Sequence, residues 1–280
     1  MTDATATHIK RFSRVQRLWH LGLIIIFMTL AVTGLTWMYI ETPWGKGLAD
    51  LFGGIQNTLE VHRLVGLAML VFFIGHLLWL LFQLLWRQRR KNDSLFGKGS
   101  IIFMWGDVVG FFQHLAWIVG ARDKPSFEQW SWWEKFDYWA VWWGTLIVGI
   151  TGLMLYNPVL TSDYLPGWFL NIALWVHRLE AILAMGHIFT IHFVVEHYRP
   201  HTFPFNAAMF DGMVSLEEAN NDHPAWIARL KQEGRLESRL VTPPPVLVRI
   251  AYFGFGYAII LLGLFLLVFA LLNVTALTLF

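Results

Sequence analysis

No stretch constrains this chain more than residues 175–201, WVHRLEAILAMGHIFTIHFVVEHYRPH, a membrane-grade apolar run with histidines at 177, 187, 192, 197 and 201. Ionisable side chains inside hydrocarbon are costly and by default functional, so this much imidazole calls for something that satisfies it. His177 and His192 are 15 residues apart, roughly 22 Å along an α-helix and roughly 60° around it. One helix therefore offers two imidazoles at opposite depths of a bilayer, on broadly the same side.

The rest of the chain is of the same kind. It is 56% hydrophobic and 14% charged, against about 25% charged in soluble domains, which makes it a polytopic membrane protein. Its basic residues cluster beside apolar spans, where they report topology and not nucleic-acid binding. The absence of cysteine excludes disulfides, thiolate-held clusters and covalent haem attachment through CxxCH, leaving His, Met and carboxylates as metal ligands. The basic N-terminal segment leads into a long span with no small-residue cleavage site, unlike a cleavable signal peptide.

Five crossings are expected, over about 18–39, 59–86, 133–155, 168–198 and 246–272. The second ends in RQRRK at 87–91, and the first is preceded by Lys10, Arg11, Arg14 and Arg17. Excess Lys and Arg mark the cytoplasmic side, which places residues 1–17 inside and the C-terminus outside. Loops 41–57 and 156–167 then face the exterior. Residues 94–120 are apolar but carry Asp107, Gln113 and His114 between basic flanks, and read as an amphipathic helix in the cytoplasmic interface; a sixth crossing is the alternative. Residues 199–245 read as a polar cytoplasmic helical excursion that the prolines 243–245 end. The expected fold class is an all-α polytopic bundle: a four-helix core over 18–198, an interfacial helix and a fifth transmembrane helix in 246–280.

An internal repeat runs through the core. TLAVTGLTWMY (29–39) echoes LIVGITGLMLY (146–156), and VHRLVGLAML (61–70) echoes VHRLEAILAM (176–185), so His62 corresponds to His177 while His20 corresponds to Tyr138. His62 and His177, each in Val-His-Arg at the outer ends of their helices, suit the two axial positions of a six-coordinate haem iron held between facing helices. Arg63 and Arg178 are placed to reach propionates. For a second haem His192 is one ligand, with His20 favoured as its partner by depth and His76 by its 14-residue spacing from His62. A third haem would need His76 and His187, and an interhelical hydrogen bond is the simpler reading of His187. His8, His114, His197, His201 and His223 are expected to be solvated.

These residues resemble the di-haem cytochrome b subunits of bacterial respiratory complexes, the group containing the formate dehydrogenase gamma subunit, the nickel–iron hydrogenase cytochrome b and thiosulfate reductase cytochrome b. The resemblance covers about 12–205 and is carried by RLWH (17–20) with TGL, by VHR with the later GH of Gly75 and His76, by WEKFDYWA (133–140), and by HRLEAIL with His192. The tail HYRPHTFPFN (197–206) is similar to a variant found beside multihaem c-type cytochromes. This family's pattern implies haem b between His62 and His177 and again between His20 and His192, which leaves His76 over.

Two haems stacked across a bilayer, with no hydrolytic constellation, imply electron transfer between a quinone pool and a redox partner. A quinone cleft near the inner haem is expected at Glu134, Asp137 and Tyr138, with His114 nearby. The short cysteine-free exterior loops imply a separate periplasmic or membrane-attached subunit carrying c-type haems or iron–sulfur clusters. The expected location is a bacterial inner membrane. The alternatives are a transporter with a histidine proton relay, a stand-alone b561-type transmembrane reductase, and a structural anchor.

Overall fold

In the computed structural model, residues 7–90, 97–200 and 202–277 are described. Lys91 and His201 of the sequence motifs lie outside them. Helix α1 (Arg14–Met38), α3 (Ile55–Arg90), α5 (Trp132–Tyr156) and α12 (Val246–Leu272) are continuous. The remaining long helix is α7 (Trp168–Gly186), carried on through a π-helical segment (His187–His192) and α8 (Phe193–His197). These give five candidate membrane spans of 25 to 32 residues, each longer than the about 20 residues that cross a hydrocarbon core. α4 (Trp105–Ile118) has 14 residues, too few to cross, and it is not among the five.

Both of the expected loops between paired spans contain a helix. Thr42 caps α2 (Pro43–Leu51) by accepting from the Gly45 amide, and Asn157 caps α6 (Pro158–Tyr164) by accepting from the Leu160 amide. In each, proline occupies the first helical position, where its missing N–H and fixed φ cost nothing. Thr-Pro and Asn-Pro were therefore helix starts, and the repeat extends into the loops.

The chain divides into two compact units. One comprises 19–76, 141–199 and 254–280; the other comprises 1–18, 77–140 and 200–253. In the first, small residues let the helices approach. Gly22 lies against Phe72, Gly149 against Leu70, and Gly263 of α12 against Phe189 and Phe193, where an added Cβ would come within 3 Å of each. The Tyr39 hydroxyl donates to the Ala270 carbonyl at 2.9 Å, which ties α1 to α12. Close backbone approach of this kind drives helix association in lipid, where burying apolar surface gains nothing.

The second unit departs from an all-helical excursion. β1 (His8–Lys10) pairs antiparallel with both β2 (Met213–Ser215) and β3 (Leu240–Val241), in the order β2-β1-β3. Its core is Ile9, Phe12, Val214, Trp226, Ile227 and Leu230, with α10 (Leu216–Asp222) and α11 (Pro224–Gln232) packed over the sheet. Residues far apart in sequence thus close one small core. α9 (Ala208–Asp211) ends at Gly212 with φ +85°, a left-handed C-cap where glycine carries no Cβ penalty; its carbonyl accepts from the Arg11 and Phe12 amides.

Buried charges tie this unit together. Arg11 bonds both carboxylate oxygens of Glu134 at 2.8 Å, and Glu134 also accepts from the Ser131 amide and hydroxyl at 2.9 Å. Lys135 pairs with Asp107 at 2.9 Å and Lys124 with Asp222 at 2.9 Å. His223, expected in solvent, is 3% exposed, and its Nδ1–H donates to the Glu128 carbonyl at 2.7 Å. Burial, with the nearby Arg11 charge, lowers its pKa from 6.5 to about 4.

Two outcomes follow. Arg11→Leu leaves Glu134 as a buried unpaired charge and should destabilise the protein by about 3–5 kcal/mol, read as a fall in unfolding temperature in detergent. A neutral buried histidine binds fewer protons than its unfolded counterpart between its two pKa values, so stability should hold above pH 6.5 and fall as pH drops towards 4. His223→Gln should flatten that part of the stability profile.

Candidate functional site

The Val-His-Arg histidines meet. His62, two turns into α3, and His177, in the middle of α7, have ring centroids 6.3 Å apart with planes at 79°. Each is held by the threonine of its own hairpin's TGL. Thr33 Oγ1 gives its hydrogen to the Thr29 carbonyl at 2.7 Å, so it can only accept from His62 Nδ1–H, at 2.8 Å. Thr151 Oγ1 likewise donates to the Ile147 carbonyl at 2.7 Å and accepts from His177 Nδ1–H at 3.1 Å. The Val148 carbonyl, 3.0 Å from the same nitrogen, also accepts. A carbonyl can only accept, so His177 Nδ1 carries the proton and its Nε2 keeps the lone pair, and the commitment of the Thr33 hydroxyl to the Thr29 carbonyl favours the same tautomer for His62. This is how a metal-ligating imidazole is oriented.

The glycine after each threonine leaves room beside the ring. A Cβ on Gly34 would stand 3.5 Å from His62 Cε1, and one on Gly152 would stand 3.2 Å from His177 Cε1. Thr33, Gly34, Thr151 and Gly152 line this site, although in the sequence TGL served only as a mark of the repeat and of the family resemblance. The signal was there: two small motifs recur one helix before two matched histidines. The neighbouring arginines differ, Arg178 being buried and Arg63 exposed.

A second pair lies in the same unit. His20 of α1 and His192 have ring centroids 6.5 Å apart with planes at 40°. His76 packs instead against Trp19 at 5.1 Å and Trp142 at 6.0 Å. Of the two sequence candidates, His20 is the one the structure brings beside His192. The π-helical segment alters the helical-wheel estimate. Its i→i+5 pattern absorbs one residue, so His192 sits around the axis as a residue 14 positions from His177 would, roughly 40° to the other side. The same pattern draws His187 round towards the His192 side, where an α-helix separates residues five apart by roughly 140°. His197 is also not solvated: it is half-buried with its ring centroid 6.3 Å from that of His192.

The residues expected around a quinone lie in the other unit. Glu134 is engaged by Arg11 through both oxygens, while Asp137 and Tyr138 are half-buried one turn further along α5. His114 is enclosed by rings, 5.2 Å from Trp117 and 5.0 Å from Trp133, and its Nδ1 accepts from Trp132 Nε1 at 3.2 Å. No group of three or more His, Asp or Glu side chains is gathered as a metal centre among the described residues.

Facing imidazole pairs between membrane-length helices define a helical bundle of the kind that holds a prosthetic group in its interior. The chain belongs to the prokaryotic cytochrome b561 family, whose profile matches residues 11–212. It is therefore a membrane b-type cytochrome of electron transfer, and haem b is the group the family implies. No curated protein gives a significant match to the chain. The paired histidines fit that group. With a metal–nitrogen bond of about 2 Å and a nitrogen about 1.1 Å from its ring centroid, two imidazoles on opposite sides of one metal have centroids about 6.2 Å apart. The observed separations are 6.3 and 6.5 Å.

Gly152→Val places a branched side chain where one added carbon is already 3.2 Å from His177. This variant should lower the bound haem, measured by pyridine haemochrome, whereas Gly34→Ala, with ordinary contact distances, should keep most of it.

Proposed function

We propose that the chain binds two haems b, one between His62 and His177 and one between His20 and His192, and carries electrons between a membrane quinone and a redox partner on the far side. The single observation that supports this best is the pair of imidazole separations, 6.3 and 6.5 Å, in a cytochrome b family member. Bound haem supplies reversible one-electron chemistry, while the protein supplies position, orientation and electrostatics.

The residues present would do this work as follows. His62 and His177 offer Nε2 lone pairs, with Thr33, Thr151 and Val148 holding the opposite nitrogens. His20 and His192 offer the second pair. Five helices long and apolar enough to cross a membrane would carry both sites into a low-dielectric setting. Buried Arg178 can neutralise a propionate, a charge-assisted bond that strengthens away from water. Two sites roughly 20 Å apart by helix rise span most of a hydrocarbon core.

Quinone chemistry also needs a proton-handling group. Asp137, half-buried one turn beyond Glu134 on the same helix, is the candidate for that role. Lys10, Arg14, Arg17 and the run 87–91 support a cytoplasmic N-terminus by the positive-inside rule, and five spans then put the C-terminus outside. The terminal chemistry falls to a separate subunit with c-type haems or iron–sulfur clusters, docked over the His62–His177 end. Family membership favours this reading over a histidine-relay transporter.

Pyridine haemochrome on purified protein should give two haems b per chain. His62→Ala or His177→Ala should remove one, His20→Ala or His192→Ala the other, and His76→Ala neither. A colourless protein from haem-competent cells would overturn the reading; loss with His76→Ala but not His20→Ala would move the second site. Asp137→Asn should slow quinol oxidation at least tenfold with both haems retained, and an unchanged rate would remove that residue from proton transfer.

A further inference from the structure

The two histidine pairs are built differently, and the difference lies in who holds the rings. His62 and His177 have planes 79° apart, and each Nδ1–H is fixed by a threonine hydroxyl whose own hydrogen is already given to a helix carbonyl. Neither ring can turn about its Cβ–Cγ bond without breaking that bond. A buried donor left without a partner is costly, so that turn is resisted. Thr33 is 1% and Thr151 8% exposed, so both hydroxyls are largely withdrawn from solvent. The His20–His192 planes stand at 40°.

We infer that Thr33 and Thr151 are positioning residues that lock the His62–His177 imidazoles nearly perpendicular, and so set the electronic structure and potential of the haem held between them. This rests on the proposed ligation. With haem bound, each ligating imidazole would donate π density into one of two iron d orbitals. Perpendicular rings load both orbitals equally and leave them nearly degenerate, which gives a strongly anisotropic low-spin ferric resonance. Rings at 40° split the orbitals and reduce that anisotropy. A hydrogen bond from Nδ1–H also raises the basicity of the ligating nitrogen, which favours ferric over ferrous iron and lowers the potential.

The two threonines are not equivalent. His177 Nδ1 has the Val148 carbonyl as a second acceptor at 3.0 Å, whereas Thr33 is the only acceptor for His62 Nδ1 among the described residues. Removal of Thr33 should therefore disturb the site more than removal of Thr151.

The test is redox potentiometry and low-temperature electron paramagnetic resonance on the purified wild type, Thr33→Val, Thr33→Ser and Thr151→Val, with haem counted in each. Wild type should show two low-spin ferric signals, the more anisotropic from the His62–His177 site and absent in His62→Ala. Thr33→Val should collapse that anisotropy and raise the potential of the same haem, or lose that haem, while leaving the other signal unmoved. Thr33→Ser should restore both properties, and Thr151→Val should give a smaller shift of the same sign. Two haems with Thr33→Val indistinguishable from wild type would overturn the inference and leave the ligation standing. So would Thr33→Ser behaving like Thr33→Val, since packing of the methyl would then be the cause. Should Thr33→Val not accumulate, an unshifted Thr151→Val overturns it equally. Wild-type protein without haem would instead sink the reading on which the inference rests.

Discussion

In hydrocarbon, no solvent stands ready to accept a proton donor's hydrogen bond, and the histidine sites are organised by that scarcity. Thr33 and Thr151 each satisfy the helix first, giving their hydrogen to a carbonyl four residues back, and present the remaining lone pairs to a histidine of the next helix. The imidazoles are thereby held in one tautomer, with Nε2 on the side of the ring away from the threonine. Gly34 and Gly152 keep the same helix surface open one residue later. A threonine and a glycine in sequence thus do two jobs: the first orients a ring and the second makes space at its edge.

The repeat explains why this arrangement occurs twice, and its breakdown explains why the two ends differ. The hairpins share a TGL before a capped short helix and a Val-His-Arg after it. Towards the other end the correspondence fails, because His20 has Tyr138 as its counterpart. The second pair is then drawn from α1 and from the segment beyond α7, where a π-helical turn re-aims His192. π-turns are uncommon and recur at functional sites, since they move a side chain around the axis without ending the helix.

Charge is handled by a separate device. The unit formed by the N-terminal strand, α4, the start of α5 and residues 200–253 pairs Arg11 with Glu134 and Lys135 with Asp107 in its interior, and pairs buried Asp222 with the more exposed Lys124, around a small apolar core. Buried pairs of this type add little net stability against an apolar alternative, but removing one partner is expensive. They therefore fix which segments meet: Arg11 selects the first turn of α5, and Lys135 selects α4.

Much was legible in the sequence. Composition and run length alone give five spans, because about 20 apolar residues in one stretch have few other uses. The two Val-His-Arg motifs identify His62 and His177 because they repeat with their surroundings. The choice between His20 and His76 beside His192 was not legible, since helix rise fixes depth but not which neighbour a helix turns towards. Nor could the spans reveal the π-turn, the engagement of Glu134 by a residue 123 positions away, or the sheet that joins residues 8–10 to 213–215 and 240–241. Sequence by itself determined the solvent this protein is built for and the residues able to hold a metal, because hydropathy and side-chain chemistry are local. Only tertiary structure decided which imidazoles face each other and at what angle, because those depend on contacts between helices that no local pattern encodes.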